Sequence, residues 1–241
     1  MSTFKQRLGT ILIPRLPINR RMFVILRYEL NALLLRARNF LNPVHRGKLR
    51  RLRGRRGLSL NVGSAGRGRD GWINVDISPA HRNVYVALDI RRPLPFEEGQ
   101  FQRILAEQVI EHIDFRHEIP GVLREFHRVL APGGVLRVIV PDARRYMEAY
   151  LSGRPETWRE LGWDLHALPP DLHTPMHVIN HVFHQEGEHL FGYDFETLEF
   201  ALRRAGFREI ARQAYLQSWD PGLAIDREQH RKYSLYVEAR K

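Results

Sequence analysis

Apolar positions change period several times along this chain, and each change predicts an element. Between residues 22 and 41, Phe23, Leu26, Leu30, Leu33, Leu34, Ala37 and Leu41 recur at helical spacing, while Arg20, Arg27, Asn31 and Arg38 share another face. That pattern predicts an amphipathic helix. From Leu58, the run LSLNVGSAGRGRDGWINVD reads as a short strand, a glycine-rich turn and a second strand ending in Asp76. Residues 84–113 contain a strand ending at Asp89, a proline-rich turn, and another strand near residues 103–107 that leads into Glu111 and His112. VLREFHRVLAPGGVLRVIVPD then gives a helix stopped by Pro132, Gly133 and Gly134, followed by an apolar strand ending at Asp142. Regular period is lost over residues 152–190. Asp194 next caps a helix with Phe195, Leu198, Leu202 and Ala205 on one stripe, and strands follow near residues 208–216 and 234–239.

Strands alternating with helices predict an α/β fold, and 241 residues suit one such core rather than two. The first connections are short. Ten residues separate Gly63 from Ile73 and six lie between Ile77 and Val84, where a helical crossover needs a dozen or more, so the first two crossover helices are expected to be rudimentary or absent. The chain has no cysteine, which excludes disulfides, thiolate zinc sites and cysteine nucleophiles.

Charge divides the chain. The net +11 conceals a leader, residues 1–57, with 15 Lys and Arg against Glu29 alone, a surplus of +14; the remaining 23 basic and 26 acidic residues leave −3. Basicity therefore belongs to the leader, and residues 58–241 form the presumptive domain. Arg27, Glu29, Arg36 and Arg38 inside the predicted helix argue against a membrane-spanning segment, and no short apolar core precedes a small-residue cleavage site as in a secretory signal. The leader is Arg-rich and acid-poor like a mitochondrial transit peptide, but its only serine is Ser2, where such a peptide is Ser-rich. The basic run RGKLRRLRGRRG beside an apolar helical face suits either an anionic membrane surface or docking on the domain itself. Nucleic acid is a weaker fit, because no aromatic residues interleave the basic ones.

The glycines at 63, 66 and 68 are not the GxGxxG of a nicotinamide site, and Asp76 lies 13 residues beyond Gly63 rather than about 20. Even so, the turn permits close backbone approach to a ligand, and a carboxylate at the second strand's end can accept hydrogen bonds from both ribose hydroxyls. In order and spacing, the blocks over residues 58–141, with YDFETLEFALRRAGF at 193–207, resemble the class I S-adenosylmethionine-dependent methyltransferases. The closest resemblance is to the small bacterial type associated with cell-surface polysaccharide synthesis, whose signature looks like LNxGxGxxxxxGWxNVD. That resemblance implies a Rossmann-like seven-stranded sheet with an antiparallel final strand, and S-adenosylmethionine as cofactor.

It also implies roles for individual positions. Gly63 and Gly66 would pass beneath the methionine part of the cofactor, Asp76 would hold the ribose, Asp89 and Ile90 would frame the adenine, Glu107 and Gln108 would line the floor beside the sulfonium, and Asn61, Ser64, Ala65 and Ile77 would complete the cofactor-binding set. Ala65 stands where a glycine is common, Asn61 where an acid often sits, and Gln102 where Asp is usual. An alanine at 65 is tolerable if its φ stays negative.

Methyl transfer from a sulfonium needs alignment and exclusion of water, and a base only when the acceptor is a hydroxyl or a charged amine. His112, beside Glu111 at the carboxyl end of the fourth strand, and the histidines of the 152–190 segment, His181 among them, are the candidate catalytic groups. That segment is the candidate substrate lid. Spacing would put His177, His181 and His184 on one helical face, with Glu186 or Glu188 near; hydrogen bonding or acceptor binding is the preferred role, and no metal is expected there. Trp158, Trp163 and Trp219 could stack on a sugar or simply pack. The sequence therefore predicts methyl transfer to a hydroxyl of a sugar or surface-glycan precursor, in the cytoplasm, with the leader at the inner face of the membrane. Two rivals are an RNA or protein methyltransferase tethered through the leader, and a non-catalytic scaffold of the same fold.

Overall fold

A computed structural model of the chain describes residues 20–81 and 83–241. Two helices open it, α1 (Arg20–Leu41) and α2 (Pro43–Arg50), the second capped by Asn42, whose side chain accepts from the Val44 and His45 amides. Strands β1 (Leu58–Val62), β2 (Ile73–Asp76), β3 (Val86–Ala87) and β4 (Phe101–Glu107) follow. No helix intervenes between β1 and β2 or between β2 and β3 among the described residues, as the short spacings predict. Next come α3 (Ile119–Val129), β5 (Leu130–Pro141), α4 (Ala143–Ser152), α5 (Pro155–Glu160), α6 (Pro175–His184), α7 (Phe195–Arg204), β6 (Glu209–Gln213) and β7 (Ser234–Arg240).

The seven strands form one sheet in the order β3-β2-β1-β4-β5-β7-β6. The first five run parallel and β7 pairs antiparallel with both β5 and β6. Alternation along the central strands sorts side chains by face. Ile104 and Ala106 of β4, Leu136, Val138 and Val140 of β5, and Leu235, Val237 and Ala239 of β7 join the main core with Val122 and Phe126 of α3 and Leu198 and Leu202 of α7. Leu105, Val135, Ile139 and Tyr236 face the other way, onto Trp219, Leu223 and Ile225 of the β6–β7 connection. Among the described residues, this cluster on the second face is covered by that connecting loop, which carries two short 3₁₀ turns, and not by an α-helix.

Arg137 fixes that loop. Wholly buried on β5, it donates to both oxygens of Asp226 (2.8 and 2.6 Å), to Glu238 (2.8 Å) and to the carbonyls of Gln217 and Ala214 (2.8 and 3.3 Å). The Leu216 and Trp219 amides complete the two carboxylates. Each charge is paired and hydrogen-bonded, the condition under which a buried ion cluster is tolerated.

Residues 152–190, the candidate lid, pack Trp158, Leu161 and Val178 against Tyr146 and Ala149 of α4 in a separate small core. Trp158 is 1% exposed and serves as packing rather than a stacking platform. The leader docks by the opposite face from its predicted apolar stripe. Ala32 and Leu35 of α1 are buried, Asn39 donates to the Ala87 carbonyl, Lys48 to that of Tyr85, and Leu52 enters the main core. Leu26, Leu30, Leu33, Leu34 and Leu41 remain exposed.

Candidate functional site

Parallel strands present their carboxyl ends on one edge, where ligands of open α/β sheets bind. Leaving β1, Gly63 takes φ +64°, and a Cβ there would lie 2.2 Å from Val109 Cγ2, so only glycine fits the bend. Ala65 follows at φ +46°, outside the negative range in which an alanine is comfortable, and its amide donates to Asp76 Oδ2 at 2.8 Å. The second Asp76 oxygen accepts from the Ser78 amide at 2.8 Å. These bonds use two of about four lone-pair positions on a half-buried carboxylate and leave acceptor capacity for hydroxyl donors. Ser64 Oγ is buried without a partner beside it, and Asn61 is buried and donates to Asn74. Just past Asp76, Ile77 lines a cavity of about 380 Å³ together with Ser78, Pro79 and α1.

The orphaned Ser64 hydroxyl, the glycine bend and the spare Asp76 acceptors fit the tail and ribose of a nucleoside with an amino-acid arm. The neighbouring strand end is arranged differently. Asp89 is buried and fully engaged by Arg36 of α1 and by Arg91, while Ile90 packs against the core. Burial alone would raise its carboxyl, but hydrogen bonds from Arg91 and Arg36 hold it below the usual carboxylate range. Arg36 therefore occupies the acceptor that the resemblance gives to adenine.

At the end of β4, Glu107 is buried and held by His230 (2.7 Å) and Arg227 (2.8 Å), both delivered by the loop that Arg137 anchors. Burial pushes its carboxyl up and these donors bring it down, to a net position below the usual range. Gln108 takes φ +54°, donates to Ser234 Oγ at 3.2 Å, and faces a second cavity of about 490 Å³. Arg67, His112, Tyr146, Trp163, His181 and His189 also line it. Of the predicted catalytic trio, His112 and His181 thus share one cavity, while Glu111 lies behind it, buried, with both oxygens lacking a hydrogen-bond partner. Burial pushes the Glu111 carboxyl up to about 8 and the His189 imidazole down to about 4.

The pattern of the sequence gave no sign of three contributions to this region: the Arg36 contact, the loop residues Gln229 to Tyr233, and the approach of His189 to Glu111. Each arises between segments far apart in the chain, and the β6–β7 loop has no period to read. The helical-face grouping of His177, His181 and His184 is not a cluster: His177 Nδ1 bonds Thr174, and His181 packs edge-on to Trp163.

Residues 71–138 match a family model described as a methyltransferase domain. No curated protein sequence matches the chain. Solved structures similar to it include an S-adenosylmethionine-dependent methyltransferase from Mesorhizobium loti, 18% identical over 80% of this chain and 95% of that one with a TM-score of 0.47. Another, from Archaeoglobus fulgidus, is 15% identical over 87% and 99% with a TM-score of 0.47. Phosphoethanolamine N-methyltransferase 2 of Haemonchus contortus, in complex with S-adenosyl-L-methionine, is 13% identical over 81% and 51% with a TM-score of 0.43. Likenesses this distant add no weight to the strand order, which stands on its own. The methyltransferase-domain match runs from β2 into β5 of that sheet and so takes in β2 and β4, the strands whose carboxyl ends carry Asp76 and Glu107.

Proposed function

We propose that the acceptor is a hydroxyl of a sugar or surface-glycan precursor, bound in the 490 Å³ cavity at the ends of β4 and β5. The observation that carries this reading is the lining. Imidazoles of His112, His181 and His189, amides of Gln108 and Gln229, and the rings of Tyr146 and Trp163 offer many hydrogen bonds beside aromatic faces, the combination suited to a polyhydroxylated ring. Gly63, Ser64, Ala65 and Gly66 would take the tail of the cofactor and Asp76 its ribose; when bound, the cofactor supplies the transferable methyl. The chain's own work is to align the acceptor and exclude water. His112 is the group we assign to receive a hydroxyl proton. Its pKa is lowered by burial, so it is neutral and able to accept at pH 7.

We also propose that α1 rests on an anionic membrane surface. Among the described residues no helix is long and apolar enough to cross a membrane, yet Leu26, Leu30, Leu33, Leu34, Phe40 and Leu41 form an exposed apolar strip in a basic leader. The deciding experiment is calorimetry with S-adenosylhomocysteine, followed by radiolabelled methyl transfer to nucleotide sugars and lipid-linked glycans. Binding at micromolar Kd that Asp76→Ala weakens at least tenfold, with label entering a glycan, is the expected result. Label entering RNA or protein instead would reject the acceptor, and no cofactor binding would leave a scaffold.

A further inference from the structure

In the wall of the acceptor cavity and just behind it, three side chains from two distant stretches of chain converge. Glu111 and His112 belong to a 3₁₀ turn (Ile110–His112) just after β4, and His189 closes the inserted segment. Backbone bonds hold the two stretches together: the Leu190 and Phe191 amides both donate to the Glu111 carbonyl, at 2.7 and 3.3 Å. One ligand atom from each of Glu111, His112 and His189 lies within 4.8 Å of the other two.

Two independent features give this cluster a direction. The first is the Glu111 carboxylate, in a residue 1% exposed, with neither oxygen hydrogen-bonded and no Lys or Arg paired with it among the described residues. Leaving such a group unsatisfied is costly, and native structures rarely do so without an ion, a water or a function in that place. The second is the state of the two imidazoles. His112 Nδ1 donates to the Glu188 carbonyl at 3.0 Å and His189 Nδ1 to that of Val182 at 2.5 Å. With Nδ1 fixed as donor, Nε2 becomes the lone-pair nitrogen in each ring. Anchoring the remote N–H on a backbone carbonyl is how metal-ligating histidines are oriented.

We infer that Glu111, His112 and His189 form a site for one divalent transition-metal ion in the wall of the acceptor cavity. Two imidazoles and one carboxylate are a donor set for Zn²⁺, Mn²⁺ or Fe²⁺ with coordination positions left over. The ion brings the positive charge that the buried carboxylate lacks. Since His112 and His189 also line the cavity, the free positions face the acceptor, where a hard cation can ligate hydroxyl oxygens and lower their pKa. That last role rests on the hydroxyl-acceptor reading above; the site itself does not. If His112 is a ligand, its lone pair is committed and it cannot also accept the hydroxyl proton, so occupancy replaces a base with a Lewis acid.

The test is titration calorimetry of the full chain, stripped with EDTA and dialysed, with Zn²⁺ and separately Mn²⁺. One equivalent of at least one ion is expected to bind and to raise Tm. Glu111→Gln and His189→Ala should each weaken binding about 100-fold, whereas His173→Ala, an exposed histidine of the same segment, should leave it unchanged. Glu111→Gln is nearly isosteric and removes an unpaired acid, so it should keep the fold, checked by circular dichroism and by S-adenosylhomocysteine binding. No stoichiometric binding by the stripped wild type, or binding that survives in either ligand variant, overturns the site. Metal binding without methylation of any sugar would instead reject the acceptor and leave the site standing.

Discussion

Ala65 is where a single backbone angle carries strain. The alanine in the glycine-rich turn is comfortable only at negative φ, but the pull of Asp76 on its amide places it at +46°, a region that costs a residue with a Cβ about 1 kcal/mol or more. Ala65→Gly should therefore raise stability by up to about 1 kcal/mol, offset in part by the entropy of glycine in the unfolded chain, as read from the urea midpoint. Gly63→Ala should do the reverse and by more, since its Cβ would strike Val109. Local composition foretold the glycine at 63 but could not foretell the angle at 65, which depends on a carboxylate eleven residues away. Asp89 carries a pH prediction. Its pKa is lowered in the folded state, so over the acidic window the unfolded chain binds more protons than the native one, and stability falls as pH drops through the folded pKa. Asp89→Asn should flatten the acid limb of stability measured by urea unfolding between pH 3 and 6, while costing stability at pH 7 by leaving Arg36 and Arg91 without their shared carboxylate.

Elements with strong period were legible in the chain. The β1 and β2 runs, the Asp194-capped α7 and the closing strand pair all lie where pattern and turn residues put them, whereas α3 ends at Val129 and Pro132, Gly133 and Gly134, read as its stop, belong to β5. Missing crossover helices could be foreseen because loop length is a hard constraint. The small core that residues 152–190 share with α4 and the loop over the second face could not, since irregular segments are organised by partners rather than by periodicity. Arg137 is the clearest instance: one charged residue within an apolar strand gives no sign of the loop it fixes. Removing that side chain strands two buried carboxylates, so Arg137→Ala should cost about 3 to 5 kcal/mol in chemical denaturation. By freeing residues 214–233 it should also loosen the hold of Arg227 and His230 on Glu107.

At the level of the whole molecule, the leader faces two ways: polar and small side chains grip the domain while the leucine strip looks outward. Leu30→Asp with Leu33→Asp should abolish sedimentation with phosphatidylserine vesicles without disturbing the fold, because both side chains are more than half exposed. Arg36 ties the same helix to the strand end that the resemblance gives to adenine. Arg36→Ala should tighten S-adenosylhomocysteine about fivefold by calorimetry if helix and cofactor compete for Asp89, and leave it unchanged if they do not.

The absent crossovers have one more consequence. Where a longer chain would have wrapped β1, β2 and β3 with helices of its own, this one borrows cover from upstream: Leu52 seals the hydrophobic interior, Lys48 and Asn39 satisfy carbonyls of the outermost strand and the loop before it, and Gln100 is held by the Leu52 carbonyl. A version begun at Leu58 would be missing a wall rather than a tail, and should stain with hydrophobic dye and melt without a sharp transition. The stretch from Asn39 to Leu52 is thus a piece of the fold, and a surface met by the outward leucines beside it would lie against the sheet's outer edge.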